Sequence, residues 1–229
     1  MTDVASVLKK AKRLHFVGIG GSGMFPLVEI MQKEGYEISG SDVLEGGIID
    51  SERTMGIDVH IGHEASLVEG ADALVVTAAL LEGNPELERA RELGIPIIER
   101  SELLGYVSSL FEHSICISGT HGKTTTTSMA VSMLLLAGKD PSAVVGGKLP
   151  LIHGYGRRGA SEYMVIEACE FKDTFLHLSP DLAVILNVDA DHLDWFGDLE
   201  GVKCAFRAFA LLAKTAVVAN ADDDNTREA

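Results

Sequence analysis

The sequence predicts an α/β fold arranged as two units, each built on a parallel sheet with helices on both faces. Short apolar runs rich in Val and Ile alternate with segments that have the apolar spacing of a helix. The hydrophobic fraction is 46% but aromatic residues make up only 6%, so the core is aliphatic, as is typical of buried parallel strands. Two glycine-rich turns, at Gly18 and Gly119, each follow an apolar run and precede a helical segment.

The first unit, residues 1–112, is predicted to be a Rossmann-like domain because its strand and helix signals alternate throughout. A proline in a first turn, a glycine after a last turn and a serine cap mark its helices. The predicted strands are residues 14–19, 36–40, 57–61, 73–77 and 95–98. The predicted helices are residues 24–33, 85–93 and a helix capped by Ser101 that reaches about residue 110.

The second unit, residues 113–229, restarts the pattern with a strand, a glycine turn and a helix. The predicted strands are residues 115–118, 163–167, 182–188 and 215–219, and the predicted helices are residues 124–136 and 202–213. The chain stops just after the last of these strands. We therefore expect a P-loop α/β domain that is incomplete at its C-terminal end.

Composition excludes several functions. The formal charge is −15, from 19 Lys and Arg against 34 Asp and Glu, which argues against nonspecific binding to nucleic acid or an anionic membrane. No apolar run approaches the ~18 residues of a membrane span, and the N-terminus lacks a signal-peptide core. Cys116, Cys169 and Cys204 have no C-x-x-C spacing and are predicted to be buried thiols. We expect a cytoplasmic protein without a nucleic-acid or membrane partner.

The first glycine-rich turn has the G-x-G-x-x-G spacing of a nucleotide-diphosphate site. Gly18 permits the tight turn, Gly20 lets a diphosphate approach the backbone, and Gly23 lets helix and strand pack closely. Asp42 follows the second predicted strand, where a carboxylate accepts hydrogen bonds from ribose hydroxyls. The motif fits a dinucleotide or a UDP-sugar, and a turn needed only for packing stays an alternative. Its residues are Gly18, Ile19, Gly20, Gly21, Ser22 and Gly23.

The second turn predicts a phosphate-binding loop, here called the phosphate loop. It comprises Gly119, Thr120, His121, Gly122, Lys123, Thr124 and Thr125. We expect backbone N–H groups to face phosphate oxygens, Lys123 to contact the β- and γ-phosphates, and Thr124 to ligate Mg²⁺. The glycine-to-lysine spacing is two residues shorter than in G-x-x-x-x-G-K-[ST]. His121 fits a contact with phosphate or substrate, or a role in shaping the turn. A serine- and threonine-rich helix cap is the alternative for the whole motif.

Acidic side chains follow two predicted strands of the second unit. Glu167 ends one strand, and Asp191 and His192 follow the next. Because carboxyl ends of parallel strands face the ligand crevice, we expect Glu167 and His192 to converge beside Thr124 on a divalent metal ion. A solvated acidic loop is the alternative.

Other polar residues fit a ligand contact or an ordinary loop. These are His63, after the third predicted strand, and Thr77-Ala78-Ala79 and Asn84-Pro85-Glu86, after the fourth. The histidines without ligand spacing are predicted to be structural or on the surface: His15, His60, His113, His153 and His177.

Together these motifs resemble the Mur ligases, and the resemblance spans almost the whole chain. The runs that carry it lie at residues 16–24, 39–42, 84–86, 119–127, 167–170, 175–180 and 191–194. Two of them, Gly-Ile-Gly-Gly-Ser-Gly-Met and Phe-Leu-His-Leu-Ser-Pro, are most similar to members that join L-alanine to UDP-N-acetylmuramate. The resemblance implies an ATP-dependent ligase of peptidoglycan precursor synthesis.

The resemblance also implies a division of labour between the domains. The first would hold UDP-N-acetylmuramate, through Gly18, Gly20, Gly21, Ser22, Gly23, Asp42 and His63. The second would hold ATP in the phosphate loop, with one Mg²⁺ on Thr124, a second Mg²⁺ held by Glu167 and His192, and Lys123 completing the catalytic set. The lactyl carboxylate would attack the γ-phosphate, giving an acyl phosphate and ADP, and the amine of L-alanine would then displace phosphate.

The chain departs from the family in two respects. Cys169, Phe171 and Lys172 stand where family members often have Asp, Ser and Asp. Family members have three domains, and this chain resembles about their first half. We therefore expect the rest of the ATP domain and the C-terminal ligase domain to be missing, and the 229 residues to be inactive alone.

Three other functions stay open on the sequence. A murein tripeptide ligase shares the Gly-Thr-His-Gly-Lys-Thr loop. A nicotinamide-dependent dehydrogenase fits the first domain but leaves the second loop unexplained. A module that binds a UDP-sugar or a nucleotide without turnover fits both domains.

Overall fold

The computed structural model describes residues 3–77 and 83–229. The chain forms two compact units, unit 1 and unit 2, divided between residues 103 and 104. The boundary that the sequence predicts between residues 112 and 113 stays a prediction. No helix in the described ranges is long and apolar enough to cross a membrane.

The described residues of unit 1 contain five strands and the helices that connect them. The strands are β1 (Arg13–Val17), β2 (Glu37–Asp42), β3 (Asp58–Ile61), β4 (Ala73–Val76) and β5 (Ile97–Glu99). The helices are α1 (Val4–Leu8), α2 (Phe25–Lys33), α3 (Gly47–Thr54), α4 (Pro85–Leu93) and α5 (Arg100–Ser109), whose last residues belong to unit 2. A 3₁₀ turn covers Ala65–Val68.

The sheet of unit 1 is parallel and has the order β3-β2-β1-β4-β5. Strand order reverses beside β1, and in open α/β sheets ligands bind outside the carboxyl ends of the strands at such a point. The core is aliphatic, with Val17, Leu74, Val76 and Ala90 in one buried cluster. The Rossmann-like fold predicted for this unit is confirmed.

The ends of the unit 1 helices follow local chemistry. The side chain of Asn84 accepts hydrogen bonds from the N–H groups of Glu86 and Leu87, and Gly94 ends α4 with a φ of 68°. The predicted cap at Ser101 is wrong, because α5 begins at Arg100 and the Ser101 hydroxyl donates to the Glu99 carboxylate instead.

Unit 2 contains six strands. They are β6 (His113–Ser118), β7 (Ser142–Leu149), β8 (Gly154–Arg157), β9 (Tyr163–Glu167), β10 (Leu182–Ile185) and β11 (Ala216–Ala219). Its helices are α6 (Lys123–Leu136), α7 (Leu193–Phe196), α8 (Leu199–Ala210) and α9 (Asp224–Glu228), with 3₁₀ turns at Pro150–Ile152 and Phe171–His177.

The sheet of unit 2 has the order β11-β10-β6-β9-β7-β8. It is parallel except that β8 runs antiparallel to β7. The sequence predicts four strands here and misses these two. The Gly-Gly-Lys run inside β7 and the Gly-Tyr-Gly-Arg of β8 lack the apolar pattern of a buried strand.

The phosphate loop is supported by a packed core. Helix α6 covers the sheet through Val131, which lies with Ile117, Ala143 and Val165 in one buried cluster. This packing fixes the direction in which the first turn of α6 points.

Candidate functional site

The glycine-rich turn after β1 is bound to the end of β2. The N–H of Gly18 donates to the Ser41 carbonyl at 2.8 Å, and the N–H of Gly20 donates to Oδ2 of Asp42 at 2.9 Å. A Cβ on Gly20 would lie 2.7 Å from Cδ1 of Ile49, so a larger residue here would require the Ile49 side chain to move. Asp42 therefore orders the turn, and its predicted bond to a ribose hydroxyl stays a prediction.

The rest of the turn faces solvent. Gly21, Ser22 and Gly23 are exposed and lead into α2. A Cβ on Gly23 would make only ordinary contact with the Arg100 side chain, at 3.5 Å. The prediction that close packing of helix on strand requires glycine at position 23 is therefore wrong. The expected contact of these residues with a UDP-sugar stays a prediction.

A buried polar network that the sequence does not reveal lies beside this turn. The carboxylate of Glu86 is fully buried and receives hydrogen bonds from Nε2 of His15 at 2.8 Å and from the hydroxyl of Ser41 at 2.9 Å. Nδ1 of His63 lies 2.7 Å from its other oxygen. Burial raises the pKa of Glu86, but the hydrogen bonds from His15, Ser41 and His63 outweigh it and lower the pKa below its ordinary value.

On the sequence, Glu86 fits a ligand contact or an ordinary loop, and its burial is not expected, since a glutamate in a first helical turn is usually exposed. His15 is buried, in keeping with the structural role predicted for it. Thr77 follows β4 and is half-buried, while Ala78 and Ala79 lie outside the described residues.

The phosphate loop joins β6 to α6. Gly119 and Gly122 have φ values of 146° and 84°, in the region that favours glycine, and a Cβ on Gly119 would lie 2.9 Å from Cβ of Leu186. The side chain of Asn187 accepts from the N–H of His121 at 2.8 Å and donates to its carbonyl at 3.0 Å. The loop is thus held open around a depression of about 330 Å³ lined by residues 120–125.

Lys123 is held at the base of this depression. Its ammonium donates to the carbonyls of Gly119 at 2.6 Å and Thr120 at 3.1 Å. It also lies 3.0 and 2.9 Å from the two carboxylate oxygens of Glu170, which is buried. The lysine therefore points back along its own loop, where oxygen ligands surround it.

Thr124 and Glu167 lie side by side at the start of α6. The Thr124 hydroxyl donates to Oε1 of Glu167 at 2.8 Å, and Oε2 of Glu167 accepts from the N–H of Gly146 at 2.7 Å. A Cβ on Gly146 would lie 2.4 Å from Oε1 of Glu167, so glycine is required for this approach. The sequence did not single out Gly146, because it lies in a strand that was not predicted.

His192 belongs to a second group of possible metal ligands. One ligand atom from each of Glu170, Asp191 and His192 lies within 4.8 Å of the others. Glu167 and His192, the pair predicted to hold a second Mg²⁺, do not share this cluster of described residues, and their common metal stays a prediction. Thr124 and Glu167 are in contact, whereas the described cluster around His192 contains Glu170 and Asp191 instead of Glu167. Glu170 was missed as a ligand because its distance along the chain from His192 carries no motif.

The residues that depart from the family pattern form contacts of their own. The ring of Phe171 lies 4.6 Å from that of His192, centroid to centroid, and the Lys172 ammonium lies 5.5 Å from the Phe171 ring. Nε1 of Trp195 donates to Asp173 at 2.9 Å. Lys172, Asp173 and His192 all have positive φ values, so strained backbone is concentrated beside the phosphate loop.

The cysteines differ from the prediction of buried thiols. Cys116 is buried in β6, and burial raises its pKa to about 12. Cys169 and Cys204 are exposed, so the prediction is wrong for both. Cys169 follows β9, beyond the buried part of the strand, and Cys204 lies on the outer side of the amphipathic helix α8.

Two protein-family models match the chain along almost its full length. The catalytic domain of the Mur ligase family matches residues 13–112, and the Mur ligase middle domain matches residues 117–229. The chain belongs to the Mur ligase family. The glycine-rich turn of unit 1 falls in the first match and the phosphate loop in the second.

Individual Mur ligases are similar in sequence and in structure. The UDP-N-acetylmuramate–L-alanine ligase of Clostridium tetani is 46% identical over 96% of this chain and 49% of its own length. The crystal structure of the corresponding ligase of Thermotoga maritima has a TM-score of 0.87 at 30% identity and covers 94% of this chain and 50% of that one.

A Mur ligase with another substrate is also similar in structure. The UDP-N-acetylmuramate:L-alanyl-γ-D-glutamyl-meso-diaminopimelate ligase of Neisseria meningitides has a TM-score of 0.86 at 29% identity, over 95% of this chain and 74% of that one. The chain spans about half the length of the curated relatives it matches.

Proposed function

We propose that these 229 residues carry the two nucleotide sites of a UDP-N-acetylmuramate–L-alanine ligase. Unit 1 binds UDP-N-acetylmuramate at the carboxyl edge of its sheet, and unit 2 binds ATP in the phosphate loop. The observation that carries the proposal is the contact between Thr124 and Glu167 at the first turn of α6, next to Lys123. The names of similar proteins support the choice of L-alanine.

The donor set at Thr124 and Glu167 fits Mg²⁺. A hydroxyl oxygen and a carboxylate oxygen 2.8 Å apart are hard ligands of the kind that Mg²⁺ prefers, and Mg²⁺ usually completes its shell with water and phosphate oxygens. Bound there, the ion would neutralise charge on the β- and γ-phosphates. The cluster of Glu170, Asp191 and His192 offers two carboxylates and an imidazole to a second divalent cation.

The protein groups act mainly by binding and orientation. The ammonium of Lys123 leaves Glu170 and turns to the terminal phosphates of ATP. The backbone N–H groups of the loop and the first turn of α6 hold the same phosphates. The lactyl carboxylate of UDP-N-acetylmuramate attacks the γ-phosphorus, ADP leaves, and an acyl phosphate forms. The amine of L-alanine then attacks the acyl carbon, and inorganic phosphate leaves as the amide forms.

Binding without turnover is the second candidate for the 229 residues taken alone. The observation that favours it is length, because the similar ligases are about twice as long. We propose that the isolated 229 residues bind both nucleotides and form no amide.

Two assays test these proposals together. Isothermal titration calorimetry measures binding of UDP-N-acetylmuramate and MgATP, and a coupled assay measures phosphate released in the presence of both and L-alanine. Binding of both ligands without phosphate release supports the proposal. Phosphate release that depends on L-alanine would refute the inactivity of the isolated residues, and absence of binding would refute the assignment of the sites.

A further inference from the structure

The buried carboxylate of Glu86 has no role in the chemistry described above, yet it binds three polar side chains, His15, Ser41 and His63, at the carboxyl edge of unit 1. Glu86 lies in the first turn of α4, and its carboxylate is completely inaccessible. A buried carboxylate is costly unless hydrogen bonds satisfy it. Here both oxygens accept hydrogen bonds.

The network fixes which nitrogen of each histidine carries a proton. An ionised carboxylate only accepts hydrogen bonds, so Nε2 of His15 and Nδ1 of His63 must both donate to Glu86. Nδ1 of His15 lies 2.9 Å from the Ser39 hydroxyl, which donates to it. Both ring nitrogens of His15 therefore have partners, and its Nε2–H holds one oxygen of the Glu86 carboxylate.

His63 differs from His15 because its second ring nitrogen, Nε2, takes no part in the network. Its side chain is 19% exposed, and Nε2 makes no hydrogen bond to any residue in the described part of unit 1. With the proton on Nδ1, Nε2 carries a lone pair and acts as an acceptor. A nucleoside could supply the matching donor, through the imide N–H of uracil or a ribose hydroxyl.

The position of His63 connects it to the glycine-rich turn. The preceding residue, Gly62, donates its N–H to the Asp42 carbonyl at 2.8 Å. The carboxylate of Asp42 in turn accepts from the N–H of Gly20. His63 therefore follows the end of β3, next to the end of β2, where Asp42 holds the glycine-rich turn.

We propose that Glu86 is a positioning residue that holds His63 in its Nδ1–H form, so that Nε2 accepts a hydrogen bond from the nucleoside part of the ligand of unit 1. The inference rests on the proposed binding of a UDP-sugar to unit 1. His63 is already implied at this site by the resemblance to the Mur ligases; the inference adds Glu86, backed by His15, as the group that sets the tautomer of His63 and thereby makes its Nε2 an acceptor.

The tautomer can be observed without any ligand. Long-range ¹H–¹⁵N correlation spectra distinguish Nδ1–H, Nε2–H and doubly protonated imidazole, and the signals of His63 are assigned by their loss in His63→Gln. At about pH 7.5 we expect His63 in the Nδ1–H form and His15 in the Nε2–H form. His63 in the Nε2–H form, or doubly protonated, would overturn the positioning role.

Binding then tests the ligand. Glu86→Gln leaves one accepting oxygen where the two histidines had two, so we expect His63 to lose its fixed Nδ1–H form and UDP-N-acetylmuramate affinity to fall about tenfold. His63→Asn should cause a similar loss, while His63→Gln, whose carbonyl oxygen can lie near the position of Nε2, should retain more affinity. His60→Gln, which changes a half-exposed histidine of the same strand, β3, is the matched control and should bind like the parent protein.

The outcomes separate this inference from the proposed function. ADP affinity at the phosphate loop should be the same in all four variants, which shows that unit 2 is folded, and a circular dichroism spectrum like that of the parent protein shows that unit 1 is folded. Unchanged UDP-sugar affinity in Glu86→Gln and His63→Asn would overturn the acceptor role. If the parent protein binds no UDP-sugar while His63 has the expected tautomer, the proposed ligand fails and the positioning role of Glu86 stands.

Discussion

The ammonium of Lys123 lies 3.0 and 2.9 Å from the two carboxylate oxygens of Glu170. The lysine of the phosphate loop is thus bound to a buried anion, with which the phosphates of the proposed nucleotide would compete. Because the same glutamate lies in the cluster with Asp191 and His192, we expect it to exchange the lysine for a divalent cation when the proposed nucleotide binds.

This pairing predicts the effect of neutralising Glu170. In Glu170→Gln, with divalent ions removed by EDTA, we expect ADP to bind a few-fold more tightly, since the phosphates no longer compete with a carboxylate for Lys123. Calorimetry measures the affinity. Asp222→Asn, an exposed position, makes the same change in net charge and should have little effect. Weaker ADP binding in Glu170→Gln would show that Glu170 does not restrain the lysine.

The Thr124 hydroxyl should matter only when Mg²⁺ is present. Thr124→Val keeps the branched shape and removes the oxygen, so we expect about a tenfold loss of MgADP affinity and no change for ADP in EDTA. Thr124→Ser retains the hydroxyl and serves as the control. Equal losses with and without Mg²⁺ would point to damage of the loop rather than to loss of a metal ligand.

Gly146 should be needed for the position of Glu167. In Gly146→Ala the new Cβ would lie 2.4 Å from Oε1 of Glu167, and a carboxylate pushed away from Thr124 should bind Mg²⁺ less well. We expect about a tenfold weaker MgADP affinity. Gly147→Ala, whose Cβ would lie 3.0 Å from the Thr124 methyl group, should have a smaller effect. An unaffected Gly146→Ala variant would contradict the tight approach.

Glu52 should make the stability of unit 1 depend on pH. Burial, and secondarily the charge of Asp42, raise the pKa of this carboxyl from 4.5 to about 8. Neither of its oxygens has a hydrogen-bond partner among the described residues. Because the folded state holds the proton more tightly, unit 1 is most stable below pH 4.5 with respect to this group. That stability falls by up to ~1.4 kcal/mol per pH unit as the pH rises toward 8.

Glu52→Gln removes this titration. We expect the variant to unfold at a higher urea concentration than the parent protein near pH 8, and the difference to shrink toward pH 5. Circular dichroism follows the whole chain, while the fluorescence of Trp195, the single tryptophan, reports on unit 2 and provides an internal control. A difference that is independent of pH would refute the raised pKa.

Much of the fold follows from the sequence because local signals agree with the tertiary structure. Helix α4 has its proline in the first turn and its glycine after the last, and its ends match the prediction. Strand β4 is apolar and buried throughout, so its pattern is unambiguous. Strand β7 was missed because Gly146 and Gly147 interrupt its pattern, although those glycines make room for Glu167 and Thr124.

The site was predictable where a motif lies within one segment or where residues follow the ends of neighbouring parallel strands. The phosphate loop and the contact between Thr124 and Glu167 follow from a loop motif and from the rule that strand ends converge. The network of Glu86, His15 and His63 depends on contacts across β1, β3 and α4, and burial of a charged group in a first helical turn has no local signal. Pairing of Lys123 with Glu170 is equally nonlocal.

The central claim is that unit 1 binds UDP-N-acetylmuramate and unit 2 binds ATP. Calorimetric titration of the parent protein and Lys123→Ala with UDP-N-acetylmuramate, MgATP and NADH tests it most directly. We predict that the parent protein binds the UDP-sugar and MgATP but not NADH. Lys123→Ala should lose MgATP and keep its UDP-sugar affinity. Binding of NADH in place of the UDP-sugar, or loss of both ligands in Lys123→Ala, would contradict the claim.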